Sequence, residues 1–220
     1  MKKFSISIFA MVMALVIVPA QLAWADNIPV ANPSFASLPV GGLNNVYDGI
    51  YYTSDVPIPG WGTSGVVPGN GYGQWAPLSN SFSGFSGSQT VGYTNGPTLY
   101  QSVGTVVAGV TYTFAVEIGN RADQDVFGGG ADLVVNGVTY YAAGTSPAAG
   151  YFSLYTASFV GTSLNQGDPI LIELTDTGAP NSEASFYGVT LNSTPEPSSL
   201  ILLGTGLIGF AGAIRRKFAK

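Results

Sequence analysis

The chain is predicted to be all-β, an antiparallel β-sandwich of the jelly-roll kind, flanked by an N-terminal signal peptide and a C-terminal transmembrane helix. Three observations lead there. Apolar residues between positions 98 and 191 alternate at period two between turn residues, the pattern of half-buried strands. Glycine is abundant, at 30 of 220 residues, and helical periodicity is nearly absent from the middle of the chain. Each end carries an uncharged apolar run beside lysine or arginine, the composition of targeting segments.

The N-terminal segment comes first. Lys2 and Lys3 form a positive start, Phe4 to Val18 is apolar, and Ala23-Trp24-Ala25 fits a small-x-small cleavage site. Residues 1–25 read as a signal peptide with Ala23 and Ala25 at its cleavage site, so the mature chain begins at Asp26. The segment from Tyr47 to Val91 is dense in Gly, Pro and Ser and reads as loop-rich. Strands follow at Thr98 to Val103 and Thr105 to Val107. Val110 to Ile118 is the strongest, with apolar residues at every even position. Ala131 to Val135, Asn136-Gly137 and Val138 to Ala142 read as a hairpin, because Asn-Gly accepts the positive φ angles of a type I′ turn. Phe152 to Val160, Ile170 to Leu174 and Ser185 to Leu191 complete the set.

The C-terminal 26 residues, 195–220, are a sorting segment. Pro195-Glu196-Pro197 precedes an apolar run over 198–214, read as a transmembrane helix, and Arg215, Arg216 and Lys217 form a basic stop within the tail 215–220. Pro197 to Ile214 is 18 residues without a charge. As a helix it reaches roughly 27 Å, against a hydrocarbon core of about 30 Å. The basic end favours a cytoplasmic C-terminus.

Charge narrows the function classes. The whole chain has a net charge of −5, but six of its seven cations lie in the two ends. Residues 26–194 keep Arg121 alone against eleven carboxylates, a net charge of −10. A domain with one cation cannot neutralise a row of phosphates, so nucleic acid is excluded as a partner. The absence of Cys and His removes disulfides, thiolate or imidazole zinc sites, and Ser-His-Asp or Cys-His nucleophiles.

The tail resembles the PEP-CTERM sorting signal of exopolysaccharide-producing Gram-negative bacteria. The resemblance rests on Pro195, Glu196 and Pro197, the span and the basic end. It implies export across the inner membrane and handling by an exosortase-type membrane transpeptidase. It further implies a membrane anchor through the C-terminal helix before processing, and a cell-surface or extracellular destination, often beside exopolysaccharide or biofilm. The middle, 26–194, resembles a galactose-binding-like jelly roll, the fold of many carbohydrate-binding modules. That resemblance rests on Asn32-Pro33-Ser34-Phe35, Pro59-Gly60-Trp61, Leu99 to Val103 and Phe186 to Leu191. Where such modules carry an Asp in the last strand, this chain has Tyr187 and Gly188.

Candidate sites follow from residue chemistry. Tyr72 and Trp75 flank Gly73-Gln74 and are the expected glycan-stacking residues, while Trp61 is expected in the core. Asp123 and Asp125, with Asp132 beyond, can offer hard oxygen ligands to Ca²⁺; the alternative is a solvated turn with Arg121 paired to an Asp. No catalytic residue stands out. Glu117, Glu173 and Asp176 supply carboxylates, but nothing selects a glycosidase pair from them. The expectation is a non-enzymatic surface or matrix protein without a required cofactor. Specific glycan recognition, and then weak polysaccharide hydrolysis, are the alternatives.

Overall fold

The computed structural model describes residues 25–66, 70–85, 89–123, 126–177 and 182–195, together with Gly206 and Gly209. Ala25–Thr194 forms one compact unit. Ala23, Glu196, Pro197, the run 198–214 apart from Gly206 and Gly209, the basic stop 215–217 and Asp125 lie outside the described residues. Among the described residues no helix is long and apolar enough to cross a membrane.

The unit is the predicted antiparallel sandwich. One sheet has nine strands in the order β11-β12-β8-β14-β6-β5-β3-β2, with β1 also paired to β14. These are β1 (Asp26–Ile28), β2 (Asn45–Tyr47), β3 (Ile50–Tyr52), β5 (Tyr72–Trp75), β6 (Val91–Thr94), β8 (Val110–Asn120), β11 (Ala143–Gly144), β12 (Tyr151–Val160) and β14 (Ala184–Pro195). The second sheet runs β10-β9-β13-β7-β4, from β4 (Gly62–Ser64), β7 (Thr98–Thr105), β9 (Gly129–Val135), β10 (Val138–Tyr141) and β13 (Pro169–Asp176).

Period-two patterning makes the core. Tyr112, Phe114, Val116 and Ile118 of β8 are buried, as are Ile170, Ile172 and Leu174 of β13 and Ala131, Leu133 and Val135 of β9. Because successive strand side chains leave opposite faces, each strand gives one apolar row to the gap between the sheets. Phe35 and Trp61 join that core in stacked contact, ring centroids 5.4 Å apart, which places Trp61 where the sequence puts it. Gly92 lets the Phe35 ring lie against β6; a Cβ there would stand 2.4 Å from the ring. The hairpin turn is as expected: Asn136 and Gly137 have φ of 49° and 76°, and Val138 pairs with Val135.

One expectation is corrected. Thr105 ends β7, and Val106 is not a strand residue: its N–H turns to donate to the Asp168 carbonyl, which seats Val106 in the core. The segment 47–91 is loop-rich, as expected. Set within it are β3, β4 and β5, strands of three or four residues too short to display alternation, held by neighbours such as β7 and β6.

The outer face of the large sheet carries a second, smaller core of Trp75, Phe82, Val91 and Tyr93. Phe82 reaches it from the segment after β5, with ring centroids 5.7 Å from Trp75 and 4.4 Å from Phe152.

Phe35→Ala should cost about 3–5 kcal/mol, because the ring is fully buried and its removal leaves a cavity between Trp61 and Gly92. Urea unfolding of the protein would show this as a lower midpoint at unchanged slope.

Candidate functional site

The outer face of the large sheet ends in a pocket of about 180 Å³, lined by Tyr47, Ile50, Tyr52, Trp75, Tyr93, Arg121 and Glu183. Strand order explains how residues so far apart in sequence meet. β14 lies between β8 and β6, and β6 lies beside β5. Arg121 directly follows β8, and Glu183 directly precedes β14. Register places Ser185 of β14 opposite Tyr93 of β6, and Tyr93 opposite Gly73 of β5. The odd-numbered positions therefore share the outer face. The Trp75 indole N–H donates to Ser185 Oγ at 3.3 Å, and Tyr52 of β3 pairs with Trp75.

Arg121 organises the polar part. Its Nη1 donates to both Glu183 oxygens, at 3.0 and 3.1 Å. Its Nε and Nη2 donate to Asp123 at 3.0 and 2.8 Å. Its guanidinium carbon lies 4.5 Å from the centre of the Trp75 ring. All three contacts suit a flat, delocalised cation. Glu183 is 14 % exposed and Arg121 16 %, whereas Asp123 is 60 % exposed. The Glu183 pair is thus the sheltered one and the Asp123 pair the solvent-screened one.

Burial pushes the Glu183 carboxyl above its ordinary range. Arg121 pulls it back, and Asp123 and Asp176 add to the rise. Burial works against the charged form of Arg121, but Glu183 and Asp123 outweigh it and hold the guanidinium above its ordinary value. Burial also raises the Tyr93 hydroxyl, which donates to the Thr53 carbonyl at 2.8 Å. The pocket therefore joins aromatic faces to a carboxyl whose proton affinity is raised.

The sequence-predicted residues are dispersed. Tyr72 and Trp75 lie on β5 rather than in a loop, both buried. Three positions apart on a strand, they face opposite ways: Tyr72 joins the inter-sheet core and Trp75 the outer cluster, so they form no common platform. Asp123 follows β8 of the large sheet and is engaged by Arg121, the ion pair named above as the alternative to calcium. Asp132 lies on β9 of the other sheet, opposite Glu173, and burial first and then that neighbour raise its carboxyl. Among the described residues, no three His, Cys, Asp or Glu side chains gather as a metal would need. Glu183 is the residue that sequence reasoning missed. The one signal for it was the charge count, since a lone arginine among eleven carboxylates demands a buried partner.

Comparison with known proteins bears on this geometry. A family model described as HpiC1 cyclase matches residues 26–192, and a PEP-CTERM protein-sorting motif matches residues 193–217. No curated protein matches the chain. Three similar solved structures come from Fischerella. A cyclase from Fischerella sp. TAU in complex with 4-(1H-indol-3-yl)butan-2-one is 25% identical, with 78% of this chain and 98% of that one covered at a TM-score of 0.62. A Stig cyclase from the same source, in complex with an indole ligand, is 23% identical over 79% and 100% at 0.62. An apo cyclase from Fischerella sp. is 22% identical over 78% and 98% at 0.63. The expectation of a non-enzymatic module is overturned: the family that covers the whole sandwich is a family of cyclases. The sorting motif confirms the reading of the tail, and marks the chain as an exosortase-sorted protein exported to a cell-surface or extracellular destination.

Arg121→Ala should leave Glu183 buried without its partner and cost about 3–5 kcal/mol at neutral pH. The sign of the pH dependence follows from the raised carboxyl. Stability tied to the protonated form is fully present below the unfolded-state value and is lost as pH rises through the folded value. The deficit of the variant relative to wild type should therefore shrink near pH 4, as paired denaturation curves at the two pH values would show.

Proposed function

The chain belongs to the HpiC1 cyclase-like family, and from that premise we propose that residues 26–194 form an exported enzyme that closes rings by proton transfer in the Trp75–Arg121–Glu183 pocket. The observation that carries this reading is the sheltered Glu183 carboxyl, raised by burial and set among aromatic rings. A ring closure that rearranges bonds within one molecule needs no oxidant or reductant. It needs a proton delivered to one carbon and a proton taken from another. Glu183 gives the proton in its neutral form and receives one as carboxylate, so a single group returns to its starting state after each turnover. Arg121 holds the carboxylate form, and Trp75, Tyr52 and Tyr93 offer ring faces to the electron-poor species between the two transfers. Indole ligands in two of the similar structures make indole-bearing alkenes the first substrates to try.

Export sets the location of that chemistry. In this reading the run 198–214 anchors the chain until an exosortase-type transpeptidase acts near Pro195, Glu196 and Pro197, leaving the sandwich at the surface. A second reading is contact with a neutral exopolysaccharide. The exposed rings of Tyr47 and Tyr51 on the β2–β3 hairpin favour it, because pyranose faces stack on such rings.

Glu183→Gln should lower turnover by about 10²- to 10⁴-fold, the usual contribution of one general acid or base. The assay incubates the mature protein with indole-bearing alkenes and looks for products of unchanged mass and altered retention. Turnover by the variant equal to wild type would reject the assignment.

A further inference from the structure

The charge around the pocket and the chemistry of its walls point to the kind of molecule it admits. Four carboxylates act on the site: Glu183 and Asp123 on Arg121, Asp176 on Glu183, and Asp55 on Tyr93. Arg121 alone opposes them, so the formal balance is −3 with Glu183 ionised and −2 with it protonated. Arg121 is also the only cationic side chain of residues 26–194, so no other side chain of the domain can restore neutrality. The walls are ring faces, and a ring face carries partial negative charge that attracts cations. The protein shows what these walls accept, since its own guanidinium lies 4.5 Å over Trp75. One face of Trp75 is thereby used, while Tyr47, Tyr52 and Tyr93 line the rest of the opening. Tyr47, which lines the pocket, is 75 % exposed and offers its ring to an incoming group.

We propose that this pocket selects a small organic cation: a protonated amine or quaternary ammonium carried on an apolar or aromatic body. The proposal deepens the ring-closure reading, on which it rests for the identity of the site. An entering cation lies on tyrosine faces and lowers the local negative balance without displacing Arg121. A carboxylate ligand would have to compete with Glu183 and Asp123 for the same guanidinium and would add to the unbalanced charge. A neutral ligand of equal shape gains the apolar contact alone.

Three soluble probes separate these cases: choline, its uncharged isostere 3,3-dimethylbutan-1-ol, and acetate. Trp75 reports binding, because residues 26–194 contain only one other tryptophan, Trp61, which is stacked in the core. Tryptophan emission of the mature protein should respond saturably to choline, at least tenfold more tightly than to the alcohol, and not to acetate. A tenfold preference corresponds to about 1.4 kcal/mol, within the reach of a partly desolvated cation–ring contact. Glu183→Gln should weaken choline and leave the alcohol unchanged. Should that variant fail to fold, Asp123→Asn on the exposed rim removes a charge without touching the core and should shift choline in the same direction. Equal affinity for choline and the alcohol, or tighter binding of acetate, would overturn the proposal. A response to indole with none to choline would also overturn it, while leaving the ring-closure reading in place. Choline binding in a protein that turns over no alkene would support the cation site and count against the ring closure.

Discussion

One guanidinium holds together an end of the sandwich that would otherwise repel itself. Arg121 joins the end of β8 to the start of β14 through Glu183 and fixes the following turn through Asp123. The Glu183 contact is the one that matters energetically. A sheltered ion pair whose partner is removed leaves an uncompensated charge, whereas the exposed Asp123 contact is screened by water. A lysine in this place would give a point charge without the fork that reaches two carboxylates while lying flat on Trp75.

The sandwich sets this geometry by placing its last strand inside the large sheet. β14 is flanked by β8 on one side and by β6 and β1 on the other, so its first residues meet strands from the middle of the chain. Gly188, with φ of 65°, interrupts the strand between the part paired with β6 and the part paired with β1. The same strand then continues to Pro195, the first residue of the sorting motif. Site and sorting signal are therefore reached through one strand, with Asp26 of β1 paired to Ser193 just before the motif.

Much of the frame was legible because it rests on local pattern. Val110 to Ile118 alternates cleanly, and Asn136-Gly137 permits one turn geometry, so strand and hairpin follow from neighbours in sequence. The site was not legible for the opposite reason. Tyr93, Arg121 and Glu183 are brought together by strand order, and no period or motif encodes which strands become neighbours. Tyr72 and Trp75 misled because glycine and glutamine between them look like a loop. Gln74 is instead fully buried, its amide donating to the Phe35 and Ser37 carbonyls, and this ties β5 to the segment between β1 and β2. Composition excluded His- and Cys-based catalysis correctly, but a carboxyl alone suffices for proton transfer, and the step from there to a non-enzyme did not hold.

A cyclase-family sandwich is joined here to an export and sorting signal, and its pocket depends on the raised proton affinity of Glu183 among aromatic rings. Carbon-13 NMR of labelled glutamate side chains, titrated in the folded protein, reads that property directly. The expected Glu183 midpoint lies above the ordinary glutamate value of about 4.3. A midpoint at or below that value would mean that Arg121 overrides burial and keeps the group a permanent carboxylate, and would contradict a proton-exchanging role for Glu183.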